Sequence, residues 1–423
     1  MTKLRQSRFF RHIVRNPRRF GLQFFVLLVF IILIFSTAYF VIPFLVSSSY
    51  EDGTLSSVAE AIPMEKEVVV RHLPIPPSVK AIYMTSCVAG TTSFRNSLVK
   101  LIDETEINAV VIDIKDFTGK LSFIPDNPEL SGAVSKNCFA PDMEEFVKSL
   151  HEKGIYVIGR ITVFQDPRLA NERPELAVKR KSDGGIWKDY KGLNFTDPGS
   201  KEVWDYIVTI GKESYDIGFD ELNFDYIRFP SDGNMKDIVY PWSGNRQKSE
   251  VLREFFVYLN NNLKPTGVVL SADLFGMTTT NTDDLNIGQV LENTLPYFDY
   301  VAPMVYPSHY PPNFNGWANP NKYPYEVVKF SLDSAVRRAM ATSTVIALSG
   351  VAPISTTTKP FLYKKRVFDA QKIRPWLQDF DYGGNYDVTE VQAQIKAVYD
   401  AGLDSWMLWN AGNKYTKDAL LPE

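Results

Sequence analysis

Between residues 80 and 412, short β-rich runs alternate with helix-patterned runs, and this alternation limits the fold more than any other feature of the chain. The β-rich runs are KAIYMTS (80–86), NAVVIDIKD (108–116), IYVIGRITVF (155–164), the first part of GFDELNFDYIRFP (218–230), VVLSADLFG (268–276), DYVAPMVYP (299–307), IRPWLQDF (373–380) and DSWMLWNAG (404–412). Helical spacing fills the gaps at 93–105, 141–154, 200–218, 246–265, 283–297, 323–341 and 387–402. Strands separated by helices build parallel sheets, and eight such units predict an α/β fold, a (β/α)8 TIM barrel. The β-rich run STVIALSGVAP (343–353) is surplus to that count, so residues 343–372 are expected to be an insertion before the seventh strand. An open doubly wound sheet would carry a glycine-rich phosphate turn after its first strand. The chain has TSCVAGTTSF there, which fits that turn poorly.

The N-terminus has a different character. Residues 1–19 hold seven basic residues and no acid, and residues 20–46 hold no charge at all. About 20 apolar residues cross a bilayer as a helix, whereas a secretory leader has an apolar run of about 7–15. The expected order is a basic cytoplasmic tail (1–19), a single transmembrane helix (20–46), a polar stalk (47–77), the barrel (78–415) and a short C-terminal tail (416–423). The basic flank predicts an N-in orientation in the cytoplasmic membrane, with the barrel outside the cytoplasm. Beyond residue 19 the chain has 39 basic and 49 acidic residues, net −10. That balance argues against a nucleic-acid partner.

Strand alternation then selects site residues. In the fourth strand Leu222 and Phe224 are apolar and should face helices, which turns Glu221, Asn223 and Asp225 inward, with Asp225 last, at the mouth. The fifth strand repeats the pattern and ends on Asp273. Adjacent strands lie about 4.8 Å apart, so these carboxylates can approach the separation of about 5–5.5 Å that retaining glycoside hydrolysis uses. One would attack carbon and the other, kept protonated, would serve as acid. Arg160 or Arg228 is the expected cation beside Asp225. Other strand ends add Asp113, Asp116, Arg160, Tyr306, His309, Trp376, Gln378, Asp379, Trp409 and Asn410 to the rim, a mixture of rings, amides and charges that suits a sugar. Each has a plainer reading: a strand-end Asp as a turn or cap residue, Asp113 and Asp116 as partners of Lys115 or Arg160, Trp376 as core.

Four histidines, His12, His72, His151 and His309, are scattered along the chain, so no multi-histidine metal site is expected, and no cofactor motif is present. Cys87 and Cys138 both follow strand ends on the same barrel face; they can pair in an oxidising compartment or remain two buried thiols.

Five segments, AVVIDIKDFTGKLSF, GLNFTDPGSKEVWDYI, GFDELNFDYIRFP, YVAPMVYPSHY and RPWLQDF, together resemble the putative glycosyl hydrolase domain of bacterial membrane-anchored or secreted proteins, a barrel group similar to the amylase-like glycosidases. The resemblance spans about residues 78–415. It implies a (β/α)8 fold, hydrolysis of an oligosaccharide or polysaccharide, and a nucleophile at the end of the fourth strand, where Asp225 stands. The amylase-like pattern usually has Glu as proton donor at the end of the fifth strand; this chain has the shorter Asp273. A third acid on the seventh strand would be Asp379. A catalytically silent, glycan-binding barrel would need the same rim.

Overall fold

The computed structural model describes residues 72–346, 353–355 and 362–423, with a few positions between 25 and 36. The chain divides into two compact units, Met1–Glu67 and Val68–Glu423. Among the described residues no helix is long and apolar enough to cross a membrane. The tail expected at 1–19 and most of the span expected at 20–46 lie outside those residues.

The second unit is a closed barrel of eight parallel strands: β1 (Lys80–Met84), β2 (Ala109–Lys115), β3 (Tyr156–Thr162), β4 (Glu221–Asp225), β5 (Val269–Phe275), β6 (Tyr300–Met304), β7 (Trp376–Gln378) and β8 (Trp406–Trp409). Neighbours in sequence are neighbours in space, and β8 closes the ring against β1. Every strand falls inside a run anticipated from the sequence. The last α-helix before each strand from β2 to β8 is, in order, α1 (Thr92–Asp103), α2 (Met143–Glu152), α3 (Lys201–Asp216), α4 (Lys248–Leu263), α5 (Leu291–Thr294), α6 (Pro324–Met340) and α7 (Val388–Asp400). Their ends follow local chemistry. The Ser200 side chain caps α3, Asp387 and Glu390 form a capping box on α7, and Gly154 (φ 75°) ends α2 in a conformation that disfavours other residues.

Two expectations were resolved by local geometry. The helix expected over 283–297 shrinks to the four residues of α5. Asp283 and Asp284 accept the backbone N–H groups of Leu285 and Asn286 at 3.2 and 2.9 Å, and Leu285 and Asn286 take φ of 51° and 55°, which no helix accommodates. The surplus run at 343–353 belongs to an insertion, as anticipated: Ser343–Thr344, Leu362–Lys364 and Pro353–Ser355 form a small antiparallel sheet separate from the barrel.

Burial follows the two-residue period of the strands. Leu222, Phe224, Val110, Val157 and Leu270 belong to the large core shared with the helices. Ala81, Ala109, Val111, Ile158, Ala302 and Met407 belong to a separate cluster inside the barrel. Deep in this interior, Arg374 and Glu221 form a fully buried ion pair with N···O distances of 3.1–3.2 Å, and the guanidinium lies 3.9 Å from the Tyr300 ring. The floor is closed by the segment before β1. Leu73 and Ile75 pack on the interior cluster, the Leu73 N–H donates to Asp220 at 2.7 Å, and His72 stacks on Tyr215. His151 lies 2.9 Å from the other oxygen of Asp220. Burial acts against the Asp220 charge, but the two histidines and the Val157 N–H outweigh it and hold the carboxyl below its ordinary range.

Candidate active site

At the opposite end, the inward residues of β2, β3, β4 and β5 converge. Asp113 pairs in register with Arg160, Arg160 with Asn223, and Asn223 with Ser271. Continuing the last register by two residues sets Asp225 level with Asp273, on strands about 4.8 Å apart.

Arg160 organises the cluster. Its Nη1 donates to Asp113 Oδ1 at 2.6 Å, and its Nη2 and Nε donate to Asp225 Oδ2 at 2.5 and 3.1 Å. The second oxygen of Asp225 accepts the N–H of Tyr226 at 2.5 Å. Tyr226 itself has φ 51°, a left-handed turn that a bulky residue adopts only when its surroundings impose it. The surroundings here are a small core, Val178, Trp187 and Phe195, formed by the long loop after β3, against which the Tyr226 ring packs. Burial opposes the charge of Arg160, but Asp225 and Asp113 outweigh it and hold the guanidinium firmly protonated.

Asp273 has a contrasting environment. It is 1% exposed, and its Oδ1 accepts from Asn223 Nδ2 at 2.9 Å and Trp376 Nε1 at 2.8 Å. No hydrogen bond engages Oδ2 among the described residues. Burial, reinforced by the negative charge of Asp225, pushes this carboxyl well above the ordinary range, and Arg160, Asn223 and Trp376 only partly counter the rise. One carboxylate therefore has three N–H donors aimed at it, while its neighbour is biased toward the protonated form and has an oxygen without a hydrogen bond among the described residues. Environments that divide two acids in this way assign base or nucleophile to one and acid to the other.

The remaining anticipated residues separate into three groups. Asp113 is pushed upward by burial against the opposing charge of Arg160, and it also accepts the Tyr83 hydroxyl at 2.5 Å. Trp409 stacks on Tyr83 at 4.0 Å, with Arg160 5.0 Å from its ring, and Trp376 meets Trp409 edge-on. Burial together with the charges of Asp273 and Asp225 pushes the Tyr306 hydroxyl well above its usual range, which keeps it a donor beside both acids. His309 stands next to Tyr306; desolvation by its neighbours and the charge of Lys191 lower its pKa. These residues surround the acids.

A second group holds loops. Both oxygens of Asp379 accept from Thr416, at 2.7 and 2.9 Å. Gln378 accepts from the Ser308 N–H and donates to the Phe380 carbonyl. Asn410 donates to the carbonyls of Asp379 and Lys414. Asp116 accepts the amide and hydroxyl of Thr118. Arg228 stands alone: it donates to the Phe229 carbonyl and lies 4.8 and 5.0 Å from the rings of Phe275 and Tyr226, so the cation bonded to Asp225 is Arg160. Sequence reasoning missed Tyr83, an inward tyrosine on β1 that reads as core; its place two residues after inward Ala81 was the available signal.

Cys87 and Cys138 are joined by a disulfide, with Cα atoms 4.0 Å apart across a separation of 51 residues. Gly90 permits the approach, since a Cβ there would collide with the Phe139 backbone. Among the described residues no three His, Cys, Asp or Glu side chains are grouped to hold a metal ion.

Residues 81–415 match the family model described as the putative glycosyl hydrolase domain. The chain belongs to this family. Among solved structures, a hypothetical protein from Ruminiclostridium thermocellum ATCC 27405 shares 38% identity, covering 45% of this chain and 96% of that one, with a TM-score of 0.41. The PgaB (BpsB) glycoside hydrolase domain from Bordetella bronchiseptica is 13% identical, covers 82% of this chain and 99% of its own, and has a TM-score of 0.56, a likeness of fold. No curated protein matches. Within the family's span lie both acids, Arg160 and every rim residue named above.

Proposed function

We infer that this glycosyl hydrolase family barrel cleaves an envelope or extracellular polysaccharide by a two-carboxylate mechanism, and that residues 20–46 anchor it in the cytoplasmic membrane with the barrel outside. The observation that carries the mechanism is the division of environments between Asp225 and Asp273. Asp225, oriented by Arg160 and the Tyr226 N–H, attacks the anomeric carbon. Asp273 Oδ2 passes its proton to the departing oxygen, and afterwards takes one from the water that releases the sugar. Arg160 stays paired with Asp113 while Asp225 is esterified, so its charge is never left unpaired. Trp409, Tyr83 and Tyr306 supply ring faces and a hydroxyl donor for the sugar.

The soluble unit, residues 68–423, and its Asp225→Asn form are offered a panel of bacterial polysaccharides. The asparagine preserves shape and removes the charge, so binding should persist while turnover falls by orders of magnitude. Equal cleavage by both proteins would exclude Asp225 as nucleophile. Binding by both with cleavage by neither would favour the silent, glycan-binding barrel. For the anchor, protease added to cells with a permeabilised outer layer should reach the barrel loops; protection until the cytoplasmic membrane is breached would refute it.

A further inference from the structure

Beyond Tyr306, the rings on the loops after β6 and β7 take no part in the chemistry above. His309 is exposed, and its ring lies 5.3 Å from Tyr306 and 5.8 Å from Tyr382. Tyr382 is 63% exposed. Its carbonyl accepts from Asn321 Nδ2 at 2.9 Å, and the Tyr386 hydroxyl donates to the Asn321 carbonyl at 3.3 Å, so the two loops are tied side by side. Two residues further on, Tyr323 is 40% exposed and lies within 26° of parallel to Trp317, with ring centroids 6.1 Å apart. A run of rings thus begins at Tyr306, passes through His309 and reaches Tyr382, and Tyr323 follows two residues after the Asn321 that binds the Tyr382 carbonyl. The segment 306–325 contains no acid and only one lysine, Lys322, but four asparagines. With Lys322 its one cation in that segment, and exposed Asp381 beside Tyr382, this surface has little to hold a phosphate backbone. It does match the alternating apolar faces and hydroxyls of sugars.

We propose that His309, Tyr382 and Tyr323 form a binding track for a glycan chain, carrying the sugars that extend away from the scissile bond. The track makes the substrate a polymer or long oligosaccharide, in preference to a disaccharide. It rests on the glycan reading of the acid cluster and is continuous with that cluster through Tyr306.

The test uses the full chain in detergent, carrying Asp225→Asn so that bound probes survive, and calorimetry with chito-, cello- and malto-oligosaccharides, each as disaccharide and hexasaccharide. At least one hexasaccharide should bind about ten-fold more tightly than its disaccharide, in keeping with one or two stacked rings. Tyr382→Ala and Tyr323→Ala should each remove most of that gain and leave disaccharide binding unchanged, while Tyr382→Phe retains it. Loss of affinity for both lengths equally, no loss for either, or a panel in which no hexasaccharide outbinds its disaccharide overturns the proposal. So does a wild-type dimer that Tyr382→Ala dissociates, because the rings would then cover a second copy. Cleavage by wild type is scored separately: length-dependent binding without hydrolysis removes the catalytic reading and leaves the track standing.

Discussion

Replacing Asp273 by asparagine separates proton donation from everything else the residue does. The two donors on Oδ1, Asn223 and Trp376, find an amide oxygen in the same place, and the new Nδ2 falls where Oδ2 has no partner among the described residues. Packing is preserved and the transferable proton is lost. General acid catalysis contributes about 10²–10⁴-fold, or roughly 3–5.5 kcal/mol of barrier. The loss should depend on the leaving group. Natural glycosidic oxygens need the proton, so their kcat/KM, which reports the leaving-group step alone, should fall by the full factor; nitrophenyl leaving groups depart without it, so their kcat/KM should fall less than about ten-fold, although kcat falls for both because Asp273 also serves the water step. The pH profile supplies an independent check. The carboxyl is raised in the folded protein, so activity requiring its proton is present at low pH and is lost as pH rises through the folded-state value. The asparagine form should lack that alkaline limb. Stability follows the same sign. The native state favours the protonated acid, so wild type loses stability as pH rises through the raised pKa, and Asp273→Asn does not. The variant should therefore gain relative to wild type in alkaline urea titrations and match it below about pH 3.9, the ordinary carboxylate value. Equal losses on natural and activated substrates, or an unchanged alkaline limb, would refute the assignment of Asp273 as acid.

Arg374→Met should cost about 3–5 kcal/mol in urea unfolding, because it strands Glu221 as a lone charge inside the barrel; Arg374→Met with Glu221→Gln should recover most of the loss. Losses of less than about 1 kcal/mol, or no recovery, would show that the pair is solvated. Replacing both Cys87 and Cys138 with serine should cost about 4 kcal/mol by loop-closure entropy, and mass spectrometry without reductant should find the wild-type thiols absent.

Regular alternation made the barrel legible. Leu222 and Phe224 against Asn223 and Asp225 fixed both faces of β4, and the same reasoning placed Asp273. Side-chain destinations beyond the strands were less legible. Arg228 lies three residues from Asp225, yet the left-handed turn at Tyr226 carries the chain away, and the partner comes instead from β3, 65 residues earlier. Asp379, Gln378 and Asn410 are as polar as Asp225 and Asp273, but their atoms are engaged by Thr416 and nearby loop backbone, partners that no local pattern announces. The false helix at 283–297 had acceptable spacing; its start was lost to two aspartates that cap backbone locally.

The floor formed by Leu73 and Ile75 also gives the barrel a direction. The described polypeptide enters the barrel at the closed end, and the strand ends that carry Asp225 and Asp273 face the other way. Residues 73–75 therefore leave that open end clear, and none of them has to be displaced for a ligand to reach it.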